Sequence, residues 1–293
     1  MRSARLLAAL LLSAPTPSLA QVQPMSGDGD PHLQLVDYNQ GQIVNAYGTG
    51  AVSNNLFEPT GGLVAYNTGT IDGCYAAVNV AAAGDADMGG LVGDNWGQIA
   101  TSFATGKISS GDTDSARVVG GLVGDFEDGT IKDSYATGAV TAAFEKHAGD
   151  SYFAGGLIGF EDDYMGYSPN ANTSYSTGTV PKNGHHRYSG GSVGFVSRSA
   201  TNTDLYWDTT TSGTSVGVGA GSSNGVTGLT TQQLQSGLPS GFDPKVWADA
   251  APASMDRSAS CFTNLGMHPP WARPPNSCER PGSKESLDVL LTR

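Results

Sequence analysis

The sequence predicts an all-β fold, a parallel β-solenoid of about six coils that ends in a short C-terminal helical cap. The first observation is an internal repeat whose copies follow one another every 28 to 35 residues. The second is that the apolar runs within each copy are too short for helices, and the third is that glycine and asparagine separate them. A period of this length, built from short strands, is typical of coils that pair with the coils before and after them.

The repeat is clearest between Gly120 and Val140, where Gly-Gly-Leu-Val-Gly is followed by Asp-Ser-Tyr-Ala-Thr-Gly. The apolar pair of the first motif recurs as Leu35-Val36, Leu63-Val64, Leu91-Val92, Leu122-Val123 and Leu157-Ile158. A degenerate sixth copy lies at Ser192-Val193. Because equivalent residues of successive coils stack in a solenoid, we expect each motif position to form a column along the molecule.

An isoleucine precedes an aromatic residue by four positions in four copies, and a fifth copy contains the aromatic residue alone. The isoleucines are Ile43, Ile71, Ile99 and Ile131, and the aromatic residues are Tyr47, Tyr75, Phe103, Tyr135 and Tyr175. Residues an even number apart share a face of a strand. The spacing therefore predicts that both residue types point into one core, with the five rings stacked in an internal column.

The next apolar residue follows the aromatic residue by five positions, and this odd gap predicts a turn between them. Glycine lies three positions after the aromatic residue in four copies, at Gly50, Gly106, Gly138 and Gly178. We expect these glycines to adopt positive φ, which glycine does without steric cost. A second corner is predicted at 39–41, 67–69 and 95–97, which all have the pattern Asn-x-Gly.

The ends of the chain differ from the repeats. Residues 1–20 have the pattern of a cleaved secretory signal peptide, with Arg2 and Arg5 before a short apolar run. That run is too short to span a membrane, so we expect a secreted or cell-surface protein without a transmembrane segment. Residues 21–34 are predicted to cover the edge of the first coil in part.

The remaining boundaries follow from the rhythm of the repeat. We assign residues 35–200 to the solenoid, 201–250 to a C-terminal cap and the proline-rich residues 251–293 to a disordered tail. Thr230 and Gln233 form a capping-box pattern, which predicts a short helix; Phe242 and Trp247 after it would close the last coil. Insertions fall at equivalent corners of the repeat, at 81–88, 109–119, 141–154 and 181–189, with a further one at 161–171. Such loops predict a binding flank.

The charge of the chain limits its possible partners, and its cysteines have mainly structural interpretations. The chain has 27 acidic against 15 basic residues, a net charge of −12, which argues against nucleic acid and anionic membranes as partners. Cys261 and Cys278 are a possible disulfide pair in the tail. Cys74 occupies a position where the other copies have serine or alanine, and we interpret it as a small buried residue.

The sequence contains only weak signals for catalysis or metal binding. Glycoside cleavage needs two carboxylates on one face, and we expect no acidic column among the strand positions. Loop carboxylates could bind calcium, namely Asp85 with Asp87, Asp112 with Asp114, and 161–163, but their spacings do not repeat. His185 and His186 have no spaced partner and are interpreted as a polar loop. The sequence predicts no cofactor and no catalytic residue.

The repeat resembles the GLUG repeat of filamentous-haemagglutinin-like bacterial adhesins. The matching segments are 89–93, 120–124 and 155–159, with 101–106, 133–138 and 173–178. The resemblance implies a right-handed β-helix on a secreted or surface protein. We therefore expect a non-enzymatic adhesin-like protein that binds an unknown surface, glycan or protein ligand. A carbohydrate-active β-helix enzyme and a structural spacer fragment of a larger adhesin are the alternatives.

Overall fold

A computed structural model describes residues 36–54, 58–82, 86–110, 118–141, 151–163, 166–182 and 187–247. The chain winds into a β-solenoid, which confirms the predicted fold class. Five coils contribute a strand to each of three parallel sheets, and two further partial coils contribute to two of them. The predicted signal peptide, edge segment and tail lie outside the described residues, as do Cys261 and Cys278.

The strands follow one another in coil order. The first two coils contain β1 (Val36–Asn39), β2 (Gln42–Val44), β3 (Tyr47–Asn54), β4 (Thr60–Gly61), β5 (Val64–Asn67), β6 (Thr70–Asp72), β7 (Tyr75–Ala82) and β8 (Asp87–Gly89). The next two contain β9 (Val92–Asn95), β10 (Gln98–Ala100), β11 (Phe103–Ala104), β12 (Ile108–Ser110), β13 (Val118–Gly120), β14 (Val123–Phe126), β15 (Thr130–Lys132), β16 (Tyr135–Ala136), β17 (Val140–Thr141) and β18 (Tyr152–Gly155). The last part contains β19 (Ile158–Glu161), β20 (Asn170–Ser176), β21 (Arg187–Gly190), β22 (Val193–Val196), β23 (Thr201–Asp208), β24 (Val218–Gly221), β25 (Val226–Leu229) and the helix α1 (Thr231–Gln235).

Three sheets run along the solenoid. Sheet A has the order β1-β5-β9-β14-β19-β22-β24, and sheet C has the order β4-β8-β13-β18-β21. The other thirteen strands form sheet B. The pairing is parallel and keeps equivalent residues in register, as in Val64, Val92 and Val123 of sheet A. Because β23, β24 and β25 still pair in this way, the solenoid continues to Leu229, beyond the boundary at residue 200 that the sequence predicts.

The central core lies inside the coils. The leucine-valine pairs fill it from the corner between sheets C and A, and Ile71, Ile99 and Ile131 fill it from sheet B. Ile43 in the first coil is partly buried and packs against the same core. Burial of these branched side chains in one continuous interior supplies most of the favourable free energy of folding.

The five aromatic residues form a stacked column, but this column lies outside the coils. Successive rings have centroids 4.8 to 5.2 Å apart and planes within 8° of each other. Phe103, Tyr135 and Tyr175 belong to a second apolar cluster, separate from the core that holds the isoleucines. The prediction of one shared core is therefore wrong.

A left-handed residue between the isoleucine and the aromatic residue explains the error. Thr101, Asp133 and Thr173 have φ of 46°, 51° and 42°. The chain bends at this residue, so the even spacing no longer keeps both side chains on one face. The residue after the bend faces inward instead: Cys74 and its serine equivalents Ser102, Ser134 and Ser174 are fully buried.

Because of this bend, the gap of five residues between the aromatic residue and the next apolar residue does not require the predicted glycine turn. Since the ring of Tyr75 faces outward, Val80 faces inward five residues later on the uninterrupted strand β7. Gly50 has the expected positive φ of 115°, but Gly106, Gly138 and Gly178 do not. A Cβ at these three would lie 1.7 to 1.8 Å from a carbonyl oxygen of the preceding coil, so close backbone approach requires glycine there.

The C-terminal segment covers the outer aromatic column. Helix α1 begins with the predicted capping box: Thr230 Oγ1 accepts from the Gln233 amide, and Gln233 Oε1 accepts from the Thr230 amide. Phe242 then packs on Tyr206, and Trp247 lies 5.6 Å from Tyr175 and 6.1 Å from Tyr135. The segment therefore runs back along the side of the solenoid over three coils. No helix in the described part of the chain has the length and apolar character needed to cross a bilayer.

Candidate functional site

Sheets A and C meet with their backbones in close contact. Sheet A strands have glycine at their second position in coils three to six, at Gly93, Gly124, Gly159 and Gly194. A Cβ at any of them would lie 2.6 to 2.9 Å from backbone atoms of sheet C. We call the surface at this junction the A–C seam. It consists of the outward-facing residues of sheet A (Tyr38, Tyr66, Asp94, Asp125, Phe160, Phe195) and of sheet C (Asp87, Val118, Phe153, Tyr188).

The sheet A side of the seam is a single column. Register pairs Tyr38 with Tyr66, Tyr66 with Asp94, Asp94 with Asp125, Asp125 with Phe160, and Phe160 with Phe195. Two carboxylates therefore lie at the centre of the column, with two aromatic rings on either side. At the usual spacing between strands the six side chains cover about 24 Å. Each of them retains solvent exposure, and Tyr38 is half exposed.

Aromatic rings cluster at one end of the seam. The rings of Phe160 and Phe195 are stacked, with centroids 4.6 Å apart. Phe153 of sheet C packs edge-on against both, at 4.7 and 5.3 Å, and Tyr188 stacks on Phe153 at 5.4 Å. Because residues of both sheets touch here, the seam is one continuous surface. These four partly exposed rings form one apolar cluster.

Carboxyl groups cluster at the centre of the seam. Burial, followed by the charges of Glu127 and Asp87, raises the pKa of Asp94 to about 7. Burial and the neighbouring carboxylates Asp87, Glu127, Asp94 and Asp162 raise the pKa of Asp125 well above its ordinary value. The pKa of Glu127 rises to about 7 for the same two reasons, with Asp162 as the main neighbour.

The central carboxyl groups have few compensating partners. Asp94 Oδ1, Asp125 Oδ1 and Glu127 Oε2 are shielded from solvent and accept no hydrogen bond in the structure. Trp96 donates a hydrogen bond to the Asp94 side chain and packs edge-on against Tyr167 at 5.3 Å. Among the described residues, no lysine or arginine forms an ion pair with Asp94, Asp125, Glu127 or Asp162.

The seam differs from the sites that the sequence predicts. We expected no acidic column on the strands, yet Asp94 and Asp125 are neighbours in register on sheet A, so that expectation is wrong. The signal was present, because Leu-Val-Gly-Asp occurs at both 91–94 and 122–125. Four predicted insertions do connect sheet B to sheet C at one corner, although parts of them lie outside the described residues.

Of the three candidate calcium loops, only 161–163 lies wholly within the described residues. Glu161 is not a loop residue, because it lies on β19 with its side chain fully buried, whereas Asp162 faces the carboxyl cluster. No group of three or more His, Cys, Asp or Glu side chains is arranged to hold a metal ion within the described ranges. Asp85, Asp112, Asp114, His185 and His186 lie outside those ranges.

Cys74 is a buried thiol in the column of small residues. Its Sγ accepts from the Ala46 amide and donates toward the carbonyl of Asp72. Burial raises the pKa of Cys74 to about 11, so the thiol stays protonated and unreactive at neutral pH. This placement agrees with its interpretation as a small core residue.

Comparison with protein-family models and with curated proteins gave no match. Function is therefore argued from the fold and from the chemistry of the seam.

Proposed function

We propose that this protein is an extracellular, non-enzymatic, adhesin-like β-solenoid that binds a glycan along the A–C seam. The observation that carries the proposal is the column Tyr38-Tyr66-Asp94-Asp125-Phe160-Phe195. Ligand sites combine aromatic and apolar surface with a few convergent polar groups, and this column does so in a line. The rings offer apolar surface to sugar rings, and the carboxyl groups can bond to hydroxyl groups.

The shape of the seam favours a linear polymer. Its side chains follow one another along the solenoid axis at the spacing of the coils, so an extended chain can contact the aromatic residues at both ends and the carboxyl groups between them. The extracellular location and the adhesin-like role rest on the signal-peptide pattern of residues 1–20 and on the resemblance to GLUG repeats. Both remain predictions.

Binding of the mature chain to a panel of soluble and immobilised polysaccharides tests the proposal. We expect saturable binding to at least one of them, and Phe160→Ala should weaken it about tenfold because the ring next to the central carboxyl groups is lost. Tyr47→Ala removes a partly exposed ring from the other aromatic column and is the matched control, which should bind normally. Absence of binding across the panel, or equal loss in both variants, would contradict the proposal.

A second candidate function is cleavage of the bound glycan. It is favoured by the neighbouring carboxyl groups of Asp94 and Asp125, and by Glu127, whose pKa of about 7 leaves it partly protonated at neutral pH. Glycosidases use one carboxylic acid and one carboxylate across the scissile bond. Release of reducing ends by the wild type, lost in Asp125→Asn but kept in Asp37→Asn, would establish it. Binding without any release would leave the non-enzymatic proposal in place.

A further inference from the structure

We propose that the A–C seam takes a cationic amino-sugar glycan, a linear polymer of hexosamine units with free amino groups. This inference rests on the glycan binding proposed above and names the class of sugar. The argument uses the charge balance of the seam, the unpaired oxygen atoms at its centre and the rings beside them.

The excess of carboxyl groups at the centre of the seam favours a cationic ligand. Asp87, Asp94, Asp125, Glu127 and Asp162 act on one another through repulsion at the centre of the seam. Tyr66 and Glu58 lie beside this cluster, and the hydrogen bond between them adds no positive charge. A neutral sugar would leave the repulsion in place and an acidic sugar would increase it. An ammonium group would relieve it, because each like-charge pair would gain a shared counter-charge.

The oxygen atoms need donors. Asp125 Oδ1 is shielded from solvent without a hydrogen-bond partner, although the residue keeps part of its surface at the seam. Burial and the neighbouring carboxylates all disfavour the charged forms of Asp125 and Glu127. A protonated amine brings three N–H donors and a positive charge together. It therefore meets both needs of this cluster, which a hydroxyl group meets only in part.

The aromatic residues beside the carboxyl groups determine where the amino groups of the polymer lie. Tyr66 is the register neighbour of Asp94, and Phe160 is the register neighbour of Asp125. A polymer that contacts the exposed parts of both Tyr66 and Phe160 must pass over both carboxyl groups. A small polyamine has no sugar rings to pack against these side chains, so it would use only the charged half of the site.

Calorimetry with two oligosaccharides of equal length tests the inference, one a hexamer of glucosamine and the other its N-acetylated form. With the mature wild-type chain at pH 7, we expect the free-amine hexamer to bind at least tenfold more tightly. We also expect it to release protons on binding, because the amine favours ionised carboxyl groups. Equal or tighter binding of the N-acetylated hexamer would overturn this inference and leave glycan binding intact. Failure of both hexamers and of the whole polysaccharide panel would overturn both proposals.

Variants separate the seam from the general acidity of the protein. Asp125→Asn should lose at least fivefold in affinity for the free-amine hexamer while changing little for the N-acetylated one. Asp37→Asn makes the same substitution at an exposed position of sheet A and should bind like the wild type. An equal loss of affinity in both variants would mean that the hexamer responds only to the net charge of the protein, and it would overturn the inference. So would equally tight binding of spermine, or binding of Ca²⁺ at the seam without any binding of the amino sugar.

Discussion

At the scale of single residues, stacking lets buried polar side chains satisfy one another. Asn39, Asn67 and Asn95 form a buried column: Asn39 Nδ2 donates to Asn67 Oδ1 at 2.7 Å, and Asn67 Nδ2 donates to Asn95 Oδ1 at 2.6 Å. Inward-facing serines form a second column: Ser102 Oγ accepts from the Cys74 amide at 3.0 Å and Ser134 Oγ accepts from the Ser102 amide at 3.2 Å. Parallel register makes this possible, because identical groups return at every coil.

Glu161 occupies the equivalent position in the fifth coil, after Phe126 in the fourth coil has ended the asparagine column. Its Oε2 accepts from Asn202 Nδ2 at 2.8 Å, while its Oε1 and the Asn202 Oδ1 have no partner. Complete burial raises the pKa of Glu161 to about 8. A protonated carboxyl supplies a donor to a site that otherwise holds two unpaired acceptors, so Glu161 is neutral in the folded protein at pH 7.

We predict that Glu161→Gln makes the protein more stable above pH 7. The pKa of Glu161 is higher in the folded chain than its ordinary value of 4.5, so its stabilising effect is complete below pH 4.5 and is lost as the pH rises toward 8. The loss amounts to about 1.4 kcal/mol per pH unit in that interval. Urea unfolding at pH 5 and pH 8 should show a smaller pH difference for Glu161→Gln than for the wild type. Identical pH differences would contradict the assignment.

At the scale of elements, the C-terminal segment stabilises the outside of the solenoid. The outer aromatic column would present adjacent rings to water if nothing covered it. Leu234, Phe242 and Trp247 pack on it, and Trp247 Nε1 also donates to Asp133 Oδ1 at 3.3 Å. Asp133 is the left-handed residue that directs the Tyr135 ring outward. This hydrogen bond therefore links the backbone bend at Asp133 to the C-terminal segment that covers the ring.

We expect Trp247→Ala to lower the free energy of unfolding by about 3 kcal/mol, the usual cost of removing a fully buried large ring. Tyr38→Ala removes a half-exposed ring from the seam and should cost less than about 1 kcal/mol. Chemical denaturation of both variants gives the comparison. Similar losses in the two would mean that the segment does not hold the column.

At the scale of the whole molecule, acidic groups accumulate where the solenoid shields them. Asp94, Asp125, Glu127 and Glu161 all have pKa values raised by burial, and the chain carries a net charge of −12. Protons are therefore taken up by the folded chain at a higher pH than by the unfolded chain. The molecule as a whole is better suited to mildly acidic conditions than to alkaline ones.

We predict that the melting temperature rises as the pH falls from 8 to 5. Each raised pKa contributes stability that is present below the ordinary carboxyl pKa and lost as the pH rises through the folded value. Added salt should raise the melting temperature at pH 8 more than at pH 5, because it screens repulsion among ionised carboxylates. Thermal melts across this range, monitored by circular dichroism, measure both trends. A maximum near pH 8 would contradict the prediction.

Local patterns in the sequence were sufficient for some features. The repeat of Leu-Val pairs predicts the solenoid and its register, and Thr230 with Gln233 predicts the start of helix α1. Residue spacing could not predict that the aromatic column faces outward. One residue with left-handed backbone conformation, such as Asp133, switches the following side chains to the opposite face, and other coils have threonine or asparagine at this position, so no single residue type marks it. The carboxyl pair of the seam was visible as a repeated Leu-Val-Gly-Asp, but its importance depends on the neighbours that sheet C brings.

By itself, the sequence determined that this chain forms stacked parallel coils, since a repeat with short strands and glycine corners can bury its apolar faces only against copies of itself. Only the tertiary structure decided which residues lie outside those coils and which meet. Sheet A and sheet C join Asp87 to Asp94 and Phe153 to Phe160 because their glycines allow backbone contact. Such contacts depend on how the sheets close around the core, and no spacing within a single repeat specifies that closure.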